Sequence, residues 1–175
     1  MSKANLKVLY SKETILKRVK DIAYQISLDF PSGDILLVAV LKGAFVFLAD
    51  LIRSIKIPIA IDFVQLSSYG ASTVSSGEVR ILKDVETSIT GKDVIIVEDI
   101  IDTGLTMEFL RRELKRRKPR SLKICTLLDK KFRRQVEINA DYVGISMDKD
   151  YFVVGYGLDF SERYRHLPEI YYIES

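Results

Sequence analysis

The sequence is poor in several residue types on which common classes of functional site depend. Its 175 residues include one cysteine and one histidine. An intrachain disulfide is therefore excluded, and a histidine-based metal site or catalytic triad lacks support. The longest strictly apolar run, residues 35–41, is far shorter than the ~20 residues that a membrane helix needs. The phosphate-binding motifs G-x-x-x-x-G-K-[ST] and G-x-G-x-x-G are also absent.

What is present is the composition of an ordinary globular protein. Hydrophobic residues make up 47% and charged residues 29%, and the net charge of +3 is too small to indicate nucleic acid by itself. No linker or repeat interrupts the chain, so we expect a single domain over residues 1–175. With no signal peptide, we expect a cytoplasmic protein that binds no membrane. Cys125 is expected to be an inert core thiol and His166 a surface side chain.

Apolar patterns predict alternating strands and helices. Helical spacing is found in residues 11–30, with Ser11 as N-cap, in 45–55, and in 107–117, where Phe109, Leu110 and Leu114 are expected to face inward. Strands are predicted, some as continuous apolar runs, at residues 35–40, 59–66, 79–85, 93–97, 122–128, 142–145 and 152–154. Such runs are typical of strands covered on both faces. The pattern predicts an α/β fold, a doubly wound and mostly parallel sheet flanked by helices.

One long polar segment, residues 67–78, is too rich in small polar side chains to pack as a regular element. A loop of this length in a compact domain is usually functional or disordered. It is interpreted either as a lid that closes over a ligand or as a plain mobile hairpin without a role.

Residues 94–106 form the most informative segment. A buried strand is expected to end in Glu98 and Asp99, and a turn with Asp102, Thr103 and Gly104 then opens a helix. Helix N-termini present unpaired N–H groups and the positive end of the helix dipole, so a phosphate fits there. Gly104 permits close approach of the backbone, and threonine hydroxyls add donors. The alternative is an ordinary turn in which Asp102 or Thr103 caps the helix.

Three acids beside a phosphate would repel it unless they face other groups. Ionised carboxylates are strong hydrogen-bond acceptors, so a ribose diol or a divalent cation would resolve the conflict. The segment therefore predicts a site for a sugar phosphate.

The segment resembles the phosphoribosyl pyrophosphate (PRPP) binding motif of the type I phosphoribosyltransferases. Further segments resemble the hypoxanthine-guanine phosphoribosyltransferases within that family, in the right order along the chain. Residues 41–44 are similar to the family's pyrophosphate loop, and residues 68–69 to the start of its mobile lid. Residues 127–131 are similar to the strand end with the purine-contacting lysine. Residues 152–159 are similar to the base-stacking and metal-binding segment, and Arg165 falls where the family keeps an arginine.

The resemblance implies a role for each matching residue at the PRPP end. Asp102 would handle the proton at purine N7 as a general acid/base. Glu98 and Asp99 would hold the ribose hydroxyls and join Asp159 in binding Mg²⁺, the implied cofactor. Pyrophosphate would meet Lys42, Gly43 and Arg165, and in the family the Leu41–Lys42 peptide can be cis. The 5′-phosphate would lie against Asp102, Thr103, Gly104, Leu105 and Thr106.

At the purine end, Lys130 would donate to the O6 carbonyl, Phe152 would stack on the base and the Val153 backbone would read its Watson–Crick edge. Ser68 and Tyr69 would begin the lid, and the terminal segments would form a small hood. The implied substrates are PRPP and a purine base, and the implied assembly is a homodimer or homotetramer. Leu105 departs from relatives that carry lysine there, so an additional cation near the phosphate loop is missing.

Two rival functions remain open on the sequence. Phosphoribosyltransferases for other bases share the PRPP loop; Lys130 and Phe152 argue against adenine and pyrimidines, but xanthine differs by only one oxo group. Some proteins with this loop are RNA-binding regulators, and the basic run at residues 130–134 keeps that class open. The expectation nevertheless is an enzyme without a nucleic-acid partner.

Overall fold

The computed structural model describes residues 5–68 and 79–174. Its elements, in chain order, are β1 (Leu6–Tyr10), α1 (Lys12–Asp29), β2 (Ile35–Leu41), α2 (Phe45–Ser54), β3 (Ile59–Ser68), β4 (Val79–Lys83), β5 (Asp93–Ile101), α3 (Leu105–Lys115), β6 (Ser121–Asp129), a 3₁₀ turn (Lys131–Arg133), β7 (Tyr142–Ser146), β8 (Val153–Val154) and β9 (Ile170–Ile173).

Within residues 5–68 and 79–174, six strands form the central sheet, in the order β4-β3-β2-β5-β6-β7. Every neighbouring pair is parallel except β3 and β4, which are antiparallel at one edge. Strand order reverses around β2 and β5, the two central strands. Ligands of open α/β sheets bind beyond the carboxyl ends of the strands at such a reversal. The predicted fold class is confirmed, and it places the expected site at the ends of β2 and β5.

A hydrophobic core covers each face of the sheet. Alternate residues of β2 divide between them: Ile35, Leu37 and Ala39 pack with α1 and α2 on one face, while Leu36 and Val38 pack with α3 on the other. This alternation follows from the period-two geometry of a strand. It explains why β2 is continuously apolar, because neither of its faces meets water.

The helices begin and end close to the predicted positions, with one error of orientation. Ser11 is the N-cap of α1, and its hydroxyl accepts a hydrogen bond from the Thr14 N–H at 3.3 Å. In α3 the buried apolar residues are Met107, Leu110 and Leu114. The inward orientation predicted for Phe109 is wrong, because this half-buried ring lies beside Arg112 at 5.7 Å from the guanidinium.

A second, three-stranded sheet forms the hood, in the order β1-β9-β8. Leu6 pairs with Ile173 and Val153 with Tyr172, so segments from both ends of the described chain meet in it. Val153, Tyr156 and Leu158 join the core on the α1 and α2 face. The hood is therefore fixed to the main domain by apolar packing, and it carries residues 152–159 to the edge of the site.

Candidate active site

Two adjoining cavities lie at the carboxyl ends of the central strands. The first, of about 300 Å³, is lined by the ends of β2 and β5 and by the turn into α3. The second, of about 270 Å³, is lined by Lys130, Phe152, Val153 and Asp159 among others. Asp99, Ile100 and Asp102 line both cavities. The two spaces therefore meet at the end of β5, where a ligand with two chemically different parts fits.

The turn after β5 presents an uncapped helix N-terminus to the first cavity. Gly104 is the N-cap of α3 at φ +85°, and no side chain among the described residues caps the helix. The alternative in which Asp102 or Thr103 caps α3 is thus wrong; the Thr103 hydroxyl reaches only the Leu105 N–H, at 3.5 Å. First-turn N–H groups have no partner within a helix, so an anion in this cavity can accept from them.

Strand β5 is longer than predicted. It continues beyond Val97 to Ile101, because Glu98, Ile100 and Ile101 keep their pairing with β6. Glu98 and Asp99 therefore lie within the ladder rather than after it. The apolar run ends at Val97 because Glu98 and Asp99 are charged, and the predicted strand therefore ends there. Hydrogen bonds to β6 extend the observed strand beyond that point.

The same turn is supported from behind by residues 134–138. The Arg134 guanidinium donates to the carbonyls of Ile101 at 2.8 Å and Asp102 at 2.6 Å, and it pairs with the fully buried Asp129 carboxylate. A Cβ on Gly104 would lie 2.6 Å from Ile138 Cγ2. Because Gly104 has no side chain, the turn can pack directly against Ile138.

Glu98 and Asp99 form a buried acid pair. Their exposures are 8% and 9%, so neither carboxylate is well hydrated. Burial, together with the charge of the adjacent Asp99, raises the pKa of Glu98 well above its ordinary value, and burial also raises the pKa of Asp99. The pair therefore favours ligands that neutralise it, such as hydroxyl donors or a cation.

The loop after β2 packs directly on this pair. The Leu41–Lys42 peptide is cis. A Cβ on Gly43 would lie 1.7 Å from Asp99 Oδ2, so only glycine leaves room for that carboxylate. Gly43 also lines the first cavity. The backbone of this loop and the buried acids thus share one wall.

Lys42 and Arg165 converge on one exposed acid. Lys42 Nζ donates to Glu162 Oε2 at 3.1 Å, and Arg165 lies 3.4 Å from the same oxygen. Arg165 also pairs with Asp159 at 2.8 Å and donates to the Gly157 carbonyl. The hydrogen bond from Lys42 lowers the pKa of Glu162. A carboxylate of the chain itself therefore bridges the two cations named for pyrophosphate.

The second cavity combines a buried cation with an exposed ring. Lys130 is only 5% exposed, and its Nζ donates to the Tyr151 carbonyl at 2.7 Å and to Asp150 at 3.1 Å. Phe152 is 55% exposed and meets Phe160 edge-on. Val153 is buried in β8. A flat ligand that offers a hydrogen-bond acceptor fits this combination.

Asp102 is held from outside the two cavities. Arg133 Nε donates to Asp102 Oδ1 at 3.1 Å, and the Arg133 guanidinium also reaches Asp150. This contact uses a residue of the basic run 130–134. Three of the five residues in that run, Lys130, Arg133 and Arg134, are engaged within the protein. Lys130 and Arg134 are largely buried, so only Lys131 and Arg133 of this run remain as exposed basic side chains.

Comparison with known proteins decides the family. The model of the phosphoribosyl transferase domain matches residues 5–161. The chain belongs to the phosphoribosyltransferase family.

Curated and solved relatives agree with the family model. The hypoxanthine-guanine phosphoribosyltransferase of Bacillus subtilis (strain 168) is 51% identical over 164 residues, which are 94% of this chain and 91% of the relative. That of Aquifex aeolicus (strain VF5) is 48% identical over 170 residues, 97% and 95% of the two chains. A crystal structure of a hypoxanthine-guanine phosphoribosyltransferase from Bacillus anthracis matches with a TM-score of 0.92 at 50% identity, covering 98% and 100%. The resemblance read from the sequence is confirmed, and the chain is a phosphoribosyltransferase enzyme.

Several parts of this phosphoribosyltransferase's site escaped the sequence motifs. Glu162, Asp150, Arg133 and Arg134 all contact predicted site residues. For Arg133 and Arg134, the basic run 130–134 is the one sequence feature that draws attention to them, and nothing in the sequence singles out Glu162 or Asp150. Ser68 is the last residue of β3. Tyr69 and the rest of the expected lid lie outside the described residues. Within the described chain, no helix is long and apolar enough to cross a membrane.

Proposed function

We propose that the chain transfers the 5-phosphoribosyl group of PRPP to a 6-oxopurine, hypoxanthine or guanine, and releases pyrophosphate, in cytoplasmic purine salvage. The observation that carries the proposal is the meeting of the two cavities at Asp99, Ile100 and Asp102. One cavity has an uncapped helix N-terminus, and the other a buried lysine beside an exposed ring. A sugar phosphate and a base would then meet between them.

The PRPP end uses the backbone and two threonines. The N–H groups at the start of α3, with the hydroxyls of Thr103 and Thr106, hold the 5′-phosphate. Gly104 and Leu105 contribute their backbone groups to the same cradle. Because anions are stabilised by unpaired N–H groups and the helix dipole, this cradle works without a lysine at position 105. Glu98 and Asp99 accept hydrogen bonds from the ribose hydroxyls.

The base end reads the purine by its edges. Lys130 donates to O6, which favours 6-oxopurines over adenine, whose amino group offers a donor there. Phe152 stacks on the ring, and the backbone of Val153 faces the Watson–Crick edge. The position of the Phe152 ring supports this role, because it is 55% exposed where it lines the second cavity.

The chemical step breaks the bond between C1′ and pyrophosphate and forms a bond from C1′ to a purine nitrogen. Pyrophosphate leaves with the bonding electrons, and Asp102 takes the proton from purine N7. Lys42 and Arg165 stabilise the charge on the departing pyrophosphate once Glu162 gives way to it. Most of the rate enhancement comes from orientation and charge stabilisation. Ser68 and Tyr69 begin the proposed lid that excludes water.

The acids of the site fit Mg²⁺ in chemistry, although they do not form a closed set. Carboxylate oxygen suits a hard cation, and burial leaves the pKa of both acids raised although the charge of Arg165 acts to lower that of Asp99. In the part of the chain that the structure describes, no three Asp, Glu, His or Cys side chains come together as a metal site. Asp159, with Glu98 and Asp99 directly or through the ribose, would therefore hold the ion together with substrate oxygens. When bound, it would neutralise pyrophosphate charge.

Self-association is the remaining part of the proposal. Tyr24 and Leu28 of α1 are 66% and 60% exposed, on a surface that also includes Val143. Burial of such side chains would favour a homodimer or homotetramer of this chain. Sedimentation equilibrium measures the mass directly, and a monomer at micromolar concentration would contradict the assembly.

A panel of bases tests the function. Hypoxanthine, guanine, xanthine and adenine are each supplied with PRPP and Mg²⁺, and nucleotide formation is followed by chromatography. We expect product with the first two bases, little with adenine, and none when PRPP or Mg²⁺ is left out. Xanthine is the informative rival, since Lys130 cannot distinguish it. No product with any base would defeat the proposal.

A further inference from the structure

Arg133 connects two residues that line the second cavity, Asp102 directly and Lys130 through Asp150. It closes the 3₁₀ turn Lys131–Arg133 directly after Lys130. Its Nε donates to Asp102 Oδ1 at 3.1 Å and one terminal nitrogen donates to Asp150 Oδ2 at 2.9 Å. Lys130 donates to the other oxygen of the same Asp150 carboxylate at 3.1 Å. A continuous path of charge-assisted hydrogen bonds therefore runs from Asp102 through Arg133 and Asp150 to Lys130.

The guanidinium is suited to this position for a geometric reason. Its donors form a rigid planar fork, so that contact with one carboxylate fixes the direction toward the other. Lysine offers a single rotatable ammonium and would not impose that relation. The hydrogen bond from Lys130, and the nearby Arg133, lower the pKa of Asp150, so the bridging acid is ionised and accepts from both cations.

The path leaves half of the Asp102 carboxylate available. Arg133 contacts Oδ1, and among the described residues Oδ2 has no hydrogen-bond partner. Asp102 lines both cavities at their junction. A general acid/base needs a neighbour that sets its orientation without occupying the atom that meets substrate.

We propose that Arg133 is a positioning residue that orients Asp102 toward the purine and, through Asp150, couples it to Lys130. The two side chains that face N7 and O6 of the base are then set as one unit. The proposal rests on the proposed function, because it takes the base to lie between Asp102 and Lys130.

The exposure of the pair limits its energetic weight. The side chains of Arg133 and Asp102 are 46% and 42% exposed, so water screens the attraction and removal should hardly affect folding. Misorientation of the acid/base, by contrast, affects the chemical step. We therefore expect a kinetic defect of roughly three- to tenfold in kcat/KM without a loss of stability.

The test compares Arg133→Gln with Lys131→Gln, which removes a neighbouring exposed cation from the same turn. Initial rates are measured over hypoxanthine and, separately, over PRPP. We expect Arg133→Gln to lower kcat/KM for hypoxanthine and to leave the KM for PRPP and the melting temperature unchanged. Lys131→Gln should match the parent protein. Arg133→Lys should remain impaired, because it restores charge without the fork.

A second comparison isolates the path. Asp150→Asn should weaken hypoxanthine turnover in the same way. The double variant with Arg133→Gln should be no worse than the poorer single variant, since residues of one path are not additive.

Each alternative outcome overturns a defined claim. Equal kinetics of the Arg133→Gln and Lys131→Gln variants, full activity of Arg133→Lys, or a raised KM for PRPP in Arg133→Gln would each overturn the positioning role. Additive losses in the double variant would overturn the coupling. Absence of product from the parent chain with every base would defeat the proposed function and the inference together, so the two failures are distinguishable.

Discussion

The two cavities of the site are built in different ways. The first is shaped mainly by backbone, through glycine at positions 43 and 104 and an uncapped helix N-terminus, and its two acids are buried within strand β5. The second is shaped by side chains, among which Phe152 is exposed and Lys130 is buried. The difference indicates that the first cavity tolerates almost no substitution, whereas changes in the second should adjust selectivity and rate by degrees.

Gly43→Ala should give the largest effect. Its Cβ would lie 1.7 Å from Asp99 Oδ2, so the acid or the loop must move. Displacement on this scale costs roughly a hundredfold in rate when it misplaces a reacting group. Steady-state kinetics with PRPP as the varied substrate measure the loss. The control is Gly91→Ala, where a Cβ meets nothing within 4 Å; because Gly91 is at φ +70°, this variant should lose stability but keep its activity. Comparable turnover in both variants would refute the close fit.

Asp102→Asn tests the junction of the cavities. The amide keeps the shape but cannot take a proton, so we expect kcat to fall by roughly two orders of magnitude. PRPP affinity, measured by calorimetry, should stay close to that of the parent. Unchanged turnover would remove the acid/base role, and lost PRPP binding would assign Asp102 to the sugar phosphate instead.

Lys130→Gln tests the side-chain-built cavity. Glutamine can accept as well as donate, so the preference for hypoxanthine over adenine should shrink by about tenfold, the amount carried by one or two hydrogen bonds. The ratio of kcat/KM for the two bases is the measurement, and it is independent of the amount of active enzyme. A ratio equal to the parent's would show that other groups select the 6-oxo edge.

Glu98→Gln should stabilise the free protein while weakening its function. Burial raises the pKa of Glu98, so the folded state binds a proton more readily than the unfolded state. Its contribution is favourable at low pH and is lost as pH rises through the raised pKa. We expect the variant to be more stable than the parent near pH 8 and to differ little from it near pH 5. Thermal melts at both pH values measure this difference; a gain that is the same at both would exclude titration as its cause.

Glu162→Gln should give the smallest effect. Removing Glu162 frees Lys42 for an incoming anion, while Arg165 keeps its pair with Asp159. The Lys42 and Glu162 side chains are 55% and 65% exposed, so the gain is small. The expected change is a two- to threefold lower KM for PRPP, within the range of about 1 kcal/mol for exposed pairs. Glu174→Gln, which breaks the similarly exposed pair with Lys7, is the matched control and should leave this KM unchanged. A raised KM in Glu162→Gln would show that the acid helps to bind PRPP.

The contrast between the cavities also explains what the sequence could predict. The first cavity depends on a contiguous segment, residues 94–106, whose order of strand, acids, turn and helix carries its own physical meaning. The roles of Lys130 and Phe152 came from the family resemblance, because a lone lysine or ring has no local signature. The partners of Lys42 and Arg133 were not predicted at all. Glu162 is 120 positions from Lys42, and Asp102 is 31 from Arg133, so only the fold brings them together.

The end of strand β5 also depends on contacts that the local sequence does not reveal. The apolar run stopped at Val97, yet β5 reaches Ile101 because β6 continues to pair with it. Pairing with a neighbouring strand is a tertiary fact that hydrophobic periodicity does not contain. The sequence therefore predicts the acid pair at the very end of the strand and does not predict its burial.

The buried sulfur of Cys125 makes the enzyme suitable for site-specific labelling. Cys125 is fully buried in β6, between Val97 of β5 and Tyr142 of β7, and burial raises the pKa of its thiol far beyond its ordinary value. Since the thiolate is the reactive form, alkylating reagents should leave it untouched in the folded protein. As it is the one cysteine in the sequence, a second cysteine introduced at an exposed position would carry a fluorophore or spin label alone. Distances to ligands could then be followed in the otherwise unmodified enzyme during turnover.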